Sequence, residues 1–392
     1  MLNTNRIQSL RKMQEPLLTV YIETGTNDAS KHAPAPSCLA WLKKEANSIL
    51  GGLAQTERDA FLGQLHRVEE FLHKRHAQEK SLVIFAGARD WEVIPLQVGV
   101  EPELRWGKPA VTQLLWLVAE HRPYCIVVVD RGGARFHGYR LGELWPLQEM
   151  KFDVDISQWK KEDLGHVARP GIKQTYGMQR DVFEHRMDAQ FRRLYRQAAA
   201  QAIRLFRQGR FSAIFVVGPD RPAVSIASQF PAEIREEAVV IKKDLGKFEP
   251  RQLLESIEPE VKKWVRNHET AEVKDLLDSG QKAVVGIDET LVQLQKGKVR
   301  TLMIARGFDA RLRLCGNCGW IDSSADPVCP VCRGARSVVA LRDVLPDLIS
   351  YADAELDVIN GDAAGKFKEA GGMGGWLRQF KQRQLTRAAA SA

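Results

Sequence analysis

The chain has 392 residues, 44% apolar and 27% charged, an ordinary composition for a soluble globular protein and enough chain for about two to four domains. No run approaches the roughly 20 apolar residues of a membrane-spanning helix, and the N-terminus, MLNTNRIQSLRKMQEP, lacks the apolar core of an export signal, so a cytoplasmic location is expected. Lys and Arg outnumber Asp and Glu, 57 to 49, a balance that fits a polyanionic partner without requiring one.

In chain order, Leu17–Glu23 reads as a buried strand, followed by a polar loop over Thr24–Ser37. Amphipathic helices are predicted over Leu39–Leu53 and Thr56–Ala77, the second basic near its end at Lys74, Arg75 and His76. Ser81–Ala86 and Trp91–Val98 read as neighbouring strands and Val111–Ala119 as a helix, giving an α/β domain over 1–120. Tyr124–Asp130, a turn at Arg131-Gly132-Gly133 and Ala134–Leu141 form a hairpin signature. The polar segment Phe152–Thr175 has no clear periodicity, and unstructured connections of that length are commonly functional. A long helix is predicted over Met178–Gln208. Val182, Met187, Leu194, Ala198, Ala202 and Leu205 lie on one side of it, and Arg180, Arg186, Arg192, Arg193, Arg196, Arg204 and Arg207 on the other. Strand Ala213–Gly218 and Ala238–Lys242 complete a second α/β unit, 121–268.

The third unit, 269–392, contains strand Val299–Ala305, a helix over Val344–Ala354, strand Leu356–Ile359 and a glycine-rich GGMGGWLR at Gly371–Arg378. Inserted in it, over 314–334, are two Cys-x-x-Cys knuckles, Cys315/Cys318 and Cys329/Cys332. Four thiolates at this spacing can surround a tetrahedral Zn²⁺, and such a closed set is structural because no coordination position is left open. Gly316, Gly319 and Gly334 suit the turns of the knuckles. Of the other cysteines, Cys125 reads as core, and with Cys38 the usage fits a reducing compartment. No Ser/His/Asp order, readable carboxylate pair, HExxH or phosphate loop is present, so no active site or small-molecule substrate is evident. Arginines clustered on one helix can contact phosphates bidentately, which makes that helix the best electrostatic candidate for RNA.

Two segments of the third unit, QKAVVGIDETLVQLQKGKVRTLMIARGFDARLRLC at Gln281–Cys315 and VINGDAAGKFKEAGGMGGWLR at Val358–Arg378, resemble the C-terminal domain of the archaeal and eukaryotic class-one release factors and Pelota. YCIVVVDRGGARFHGYRLGE and HRMDAQFRRLYRQAAAQAIRLF are similar to that family's central domain, and LLTVYIE and SLVIFAG more faintly to its first. The resemblance implies three α/β domains in a tRNA-like arrangement with a zinc ribbon inserted in the third. Peptide-releasing members carry Gly-Gly-Gln in a loop that enters the peptidyl-transferase centre; the nearest match is Gly177-Met178-Gln179, with Met178 in place of the second glycine. Methionine cannot adopt the backbone conformations open to glycine at low cost, so hydrolysis by Gln179 is a secondary expectation. The Asn-Ile-Lys-Ser and Tyr-x-Cys-x-x-x-Phe motifs of stop-codon reading are absent; 24–38 and 112–120 stand in their places. These departures point to the divergent bacterial branch of rescue and hibernation factors, Balon-like in lacking the catalytic triplet. The resemblance implies binding at the ribosomal A site, the helix bearing Arg180, Arg186, Arg192, Arg193 and Arg196 along ribosomal RNA, the 158–179 loop at the peptidyl-transferase centre, and a translational GTPase such as elongation factor Tu as partner. A non-ribosomal RNA-binding or scaffolding protein is the third reading.

Overall fold

The computed structural model describes residues 2–24, 36–75, 79–154, 175–245 and 249–378, with backbone alone for 36–37 and 175–184. They form two compact units, one from Met1–Glu120 with Val265–Ala392, the other from His121–Trp264.

The first unit opens with helix α1 (Thr4–Leu10), capped by the Asn3 side chain accepting from the Arg6 N–H at 2.8 Å. Strand β1 (Leu17–Glu23) is central in an antiparallel sheet of order β3-β2-β1-β4, with β2 (Ser81–Gly87), β3 (Trp91–Leu96) and β4 (Glu103–Gly107). Helices α2 (Pro36–Leu50) and α3 (Gln55–Lys74) cover one face. Phe61, Leu65, Val68 and Leu72 recur every three or four residues along α3 and meet Leu18, Val20, Ile22, Leu82 and Ile84. Strand β4 has no counterpart in the sequence reading, because ELRWG alternates charge with bulk and is very short. Helix α4 (Thr112–Glu120) leaves this sheet and packs on the sheet of the C-terminal segment.

That sheet has the order β10-β16-β11-β15, with β10 (Ala283–Val285), β11 (Val299–Ala305), β15 (Glu355–Ile359) and β16 (Met373–Leu377). β11 and β15 run parallel; β16 is antiparallel to β11. The glycine-rich stretch is thus an inner strand. On one face, Leu302, Ile304, Val358 and Met373 pack against α9 (Ile287–Gln295), α10 (Leu341–Ala352) and, from α4, Ala119 and Trp116. On the other, Met303, Ala305 and Ile359 meet Val273 and Leu276 of α8 (Pro250–Asp278) and Phe367 of α11 (Gly361–Glu369). Helix α4 runs beside β15, the edge strand, and shields it. Polar contacts join the same parts. Arg342 Nη2 lies 2.7 Å from Glu103, Arg306 Nη1 lies 2.6 Å from Glu120, Arg11 pairs with Asp347, and Thr112 Oγ1 donates to the Arg342 carbonyl at 2.8 Å.

Between β11 and α10 stands a small antiparallel sheet, order β13-β12-β14, from β12 (Arg311–Cys315), β13 (Ile321–Asp322) and β14 (Arg336–Ala340).

The second unit is a five-stranded mixed sheet of order β7-β6-β5-β8-β9, from β5 (Tyr124–Val129), β6 (Gly133–Arg140), β7 (Glu143–Lys151), β8 (Ala213–Gly218) and β9 (Ala238–Lys242). β5, β8 and β9 are parallel; β6 and β7 return antiparallel. Helix α5 (Thr175–Gly209), with α6 (Asp220–Ala227) and the short α7 (Ala232–Arg235), covers one face. Trp264, midway along α8, meets Tyr124 and Phe215 edge-on at 5.7 and 6.2 Å on the other. No helix among the described residues is long and apolar enough to cross a membrane.

Candidate metal centre and nucleic-acid interface

The four cysteines come together: all four Sγ atoms of Cys315, Cys318, Cys329 and Cys332 lie within 4.8 Å of one another. Cys315–Cys332 is 3.4 Å and Cys318–Cys329 is 3.6 Å. A tetrahedron with metal–sulfur bonds of about 2.3 Å has edges of about 3.8 Å, so one ion fits between them. Each knuckle is closed the same way. Gly319 N–H donates to the Cys315 carbonyl at 3.0 Å, and Arg333 N–H to that of Cys329 at 2.9 Å, both with left-handed φ (73° and 59°). Gly319 meets the backbone requirement the sequence suggested; in the second knuckle an arginine occupies the equivalent position. Gly334 serves a different end: a Cβ there would lie 3.3 Å from Cys315 Sγ and Cys332 Sγ and 3.0 Å from Asn317 Cβ. At Gly316 φ is not left-handed and no close approach demands glycine.

The thiols do not share charge evenly. Hydrogen bonds from the Asn317 side chain and the Gly334 N–H, then the neighbouring thiols, bring Cys332 down to about 6. At Cys318 the Trp320 N–H pulls downward, but burial and the three other sulfurs outweigh it and push the thiol up to about 12. Four thiolates this close repel one another, and a divalent cation between them removes the conflict. The donor set therefore fits a metal ion.

The support of the centre was not legible in the Cys spacing. Arg336 is fully buried. It pairs with Asp322 and donates to Ser324 Oγ at 2.9 Å, the Asp326 carbonyl at 3.2 Å and the Arg313 carbonyl at 3.2 Å. Trp320 Nε1 donates to the other Asp322 oxygen at 3.0 Å. From α9, Gln295 accepts from the Ile321 N–H at 2.8 Å and donates to the Ile321 carbonyl at 2.7 Å, an amide acting as one rung of a strand ladder. These residues carry no motif; only the fold brings them together.

On the second unit, α5 begins at Thr175, so Gly177, Met178 and Gln179 fall in its first turns instead of ending a loop. The rest of the expected 158–179 loop, up to 174, lies outside the described residues, as do the side chains of Gly177, Met178, Gln179 and Arg180. Further along, Tyr195, Ala198, Ala199 and Ala202 are buried, with Phe191, Leu194 and Leu205 partly so. The aromatic members, Phe191 stacked on Tyr195 at 5.8 Å and Phe152 edge-on to it at 5.7 Å, were missing from the apolar side read from the sequence. Arg186, Arg192, Arg193 and Arg196 are exposed. Among the described residues Arg192, Arg193 and Arg196 enter no ion pair, and Asp188 on the same helix is taken by Arg221 at 2.5 Å. A row of uncommitted guanidinium groups along one helix matches the geometry of a phosphate backbone.

The second unit is thus an open mixed sheet covered on one face by a long helix that carries a row of arginines. Residues 109–259 match bacterial archaeo-eukaryotic release factor family 10, in line with the resemblance read from the sequence. No curated protein sequence matches significantly. Among solved structures, the chain is similar to the archaeal translation termination factor aRF1 (16% identity, 96% of each chain, TM-score 0.23). It is also similar to Archaeoglobus fulgidus Pelota (16% identity, 76% of this chain and 79% of that one, TM-score 0.30). A third match is a ribosome-bound archaeal Pelota with ABCE1 (14% identity, 96% and 94% covered, TM-score 0.40).

Proposed function

We propose that this protein is a release-factor-like translation factor that binds the ribosomal A site in the cytoplasm, in ribosome rescue or hibernation and not in stop-codon termination. The observation that carries this reading is the family match over the central domain, on the same residues that display the uncommitted arginines of α5. Those arginines would lie along ribosomal RNA. The cysteine cluster would hold Zn²⁺ as a structural ion, fixing a lobe that projects from the C-terminal sheet toward a translational GTPase or the ribosome. The segment 112–120, which stands where stop-codon readers carry a motif, is α4, packed on another sheet, and this supports a role without codon reading.

Co-sedimentation with 70S ribosomes from growing and starved cells, over a range of salt, tests the reading. Ribosome association that weakens steeply with salt is expected. Recovery of the protein in the soluble fraction alone, from both sources, would sink it. Peptide release from stalled ribosomes, abolished in Gln179→Ala, would instead establish the competing hydrolase reading.

A further inference from the structure

Away from both sites, α3 and the β2–β3 hairpin flank an open surface hollow of about 270 Å³ lined by Arg67, Glu70, Phe71, Lys74 and Trp91. Arg67, Phe71 and Lys74 are spaced four and three residues apart, so α3 presents cation, ring and cation on one face. Trp91 opens β3 across from them, its ring edge-on to Phe71 at 5.5 Å. The Arg67 guanidinium lies 4.9 Å from the Trp91 ring centre and is held there by the Gly87 carbonyl at 2.9 Å and Gln64 Oε1 at 2.7 Å. Arg75 sits 5.2 Å from the Phe71 ring.

The acids nearby are engaged. Glu79 is held by Arg75 at 2.9 Å, Glu92 by Arg6, and Asp90 accepts the Gln14 N–H at 3.0 Å. Glu70, the one acid lining the hollow, is only 3.8 Å from exposed Lys74, a pair too open to hold that lysine back from a stronger anion. Arg89, at the tip of the hairpin beside Trp91, is exposed. Half-buried aromatic rings rimmed by cations, with Glu79 and Glu92 paired to arginines, form the combination that binds single-stranded nucleic acid: rings take the bases and cations track the backbone.

We infer that this hollow seats one unstacked nucleobase of a single-stranded RNA, the base against the Phe71–Trp91 pair with Arg67 kept over the Trp91 ring, and its flanking phosphates on Lys74 and Arg89. The inference deepens the proposed RNA-binding role and rests on it for the class of ligand.

The test uses the full chain carrying Arg192→Glu and Arg193→Glu, which reduces the contribution of α5. The probe is a hexauridylate with one central 2-aminopurine, whose emission is quenched when the base stacks on a ring. Quenching on titration is expected. Trp91→Ala should weaken binding about 5- to 150-fold, the worth of one stacked base. Trp91→Tyr should retain most of it, which separates loss of stacking from loss of fold. Lys74→Glu, on an exposed side chain, should also weaken binding, and the same charge change at Lys44 on α2 should not. Quenching that is absent, or that is unchanged by both Trp91→Ala and Lys74→Glu, overturns the inference whatever the ribosome sedimentation shows. Persistent, Trp91-dependent quenching in a protein that never sediments with ribosomes overturns the ribosomal role and leaves this site standing.

Discussion

At the scale of single residues, burial decides which charges matter. Arg336 has no exposed side-chain surface, and its pairing with Asp322 fastens the loop between the two knuckles. Removing one partner of a buried pair strands the other, at a cost of about 3–5 kcal/mol. Arg336→Ala should therefore open the 321–327 segment to hydrogen exchange far below the global unfolding free energy, with the central unit unaffected. His137 on β6 takes up its proton less readily than a solvent-exposed imidazole. Burial first, and the neighbouring Arg135 charge second, hold its imidazole below the usual value, and its Nε2 is buried without a hydrogen-bond partner. The folded state keeps it neutral while the unfolded chain takes up a proton below about pH 6.5. Stability from this residue is thus complete above that pH and falls as the pH drops through it. Urea midpoints of the central unit should decline on acidification from pH 7.5 to 5.5, and His137→Gln should flatten the decline.

At the scale of elements, α5 and the cysteine ribbon each make a prediction that the other does not share. Exchanging Arg192 and Arg193 for Glu alters two exposed side chains opposite the stripe of Tyr195, Ala198 and Ala202, so the helix should keep its fold. If each arginine meets a phosphate, the slope of log affinity against log salt for ribosomes should fall by about 2 or more. Cys318→Ser, or treatment with a strong chelator, should release the metal measured by elemental analysis and broaden the resonances of 311–340, leaving those of the central unit in place. Much of this was legible beforehand. The knuckle spacing located the four cysteines that come together, and the β-branched run YCIVVV located the inner strand β5. What escaped were features set by distant partners. Tyr195 looks like one more polar residue in an arginine-rich helix until Phe152 and Phe191 enclose it. Strand β7, ELWPLQEMK, alternates poorly because it is an edge, paired on one side only. Gln295 and Asp322 have no local pattern at all; their roles exist only after the ribbon has folded onto α9.

At the scale of the whole chain, the N-terminal and C-terminal segments form one unit although the sequence separates them by the entire central unit. The packing of α4 on β15 and α10 and the ion pairs Arg342–Glu103 and Arg306–Glu120 are its stitches. Residues 1–120 made alone lack the surface on which α4 rests. Its amides over 112–120 should then exchange freely, while those of β1 and β2 stay protected. Residues 121–264 made alone should unfold in a single cooperative transition, since their core clusters are their own.

The shielding of β15 by α4 sets an order of events during synthesis. The helix leaves the ribosome about 235 residues before the strand it covers, since α4 ends at Glu120 and β15 begins at Glu355. At roughly 5–20 residues per second, that is a wait of about 10 to 50 s. For that time Trp116 and Ala119 have no C-terminal sheet to enter, and the central unit can complete itself in between. A nascent chain of this protein thus carries an apolar helix exposed in mid-synthesis, a natural point for a chaperone to bind and for translation speed to affect yield.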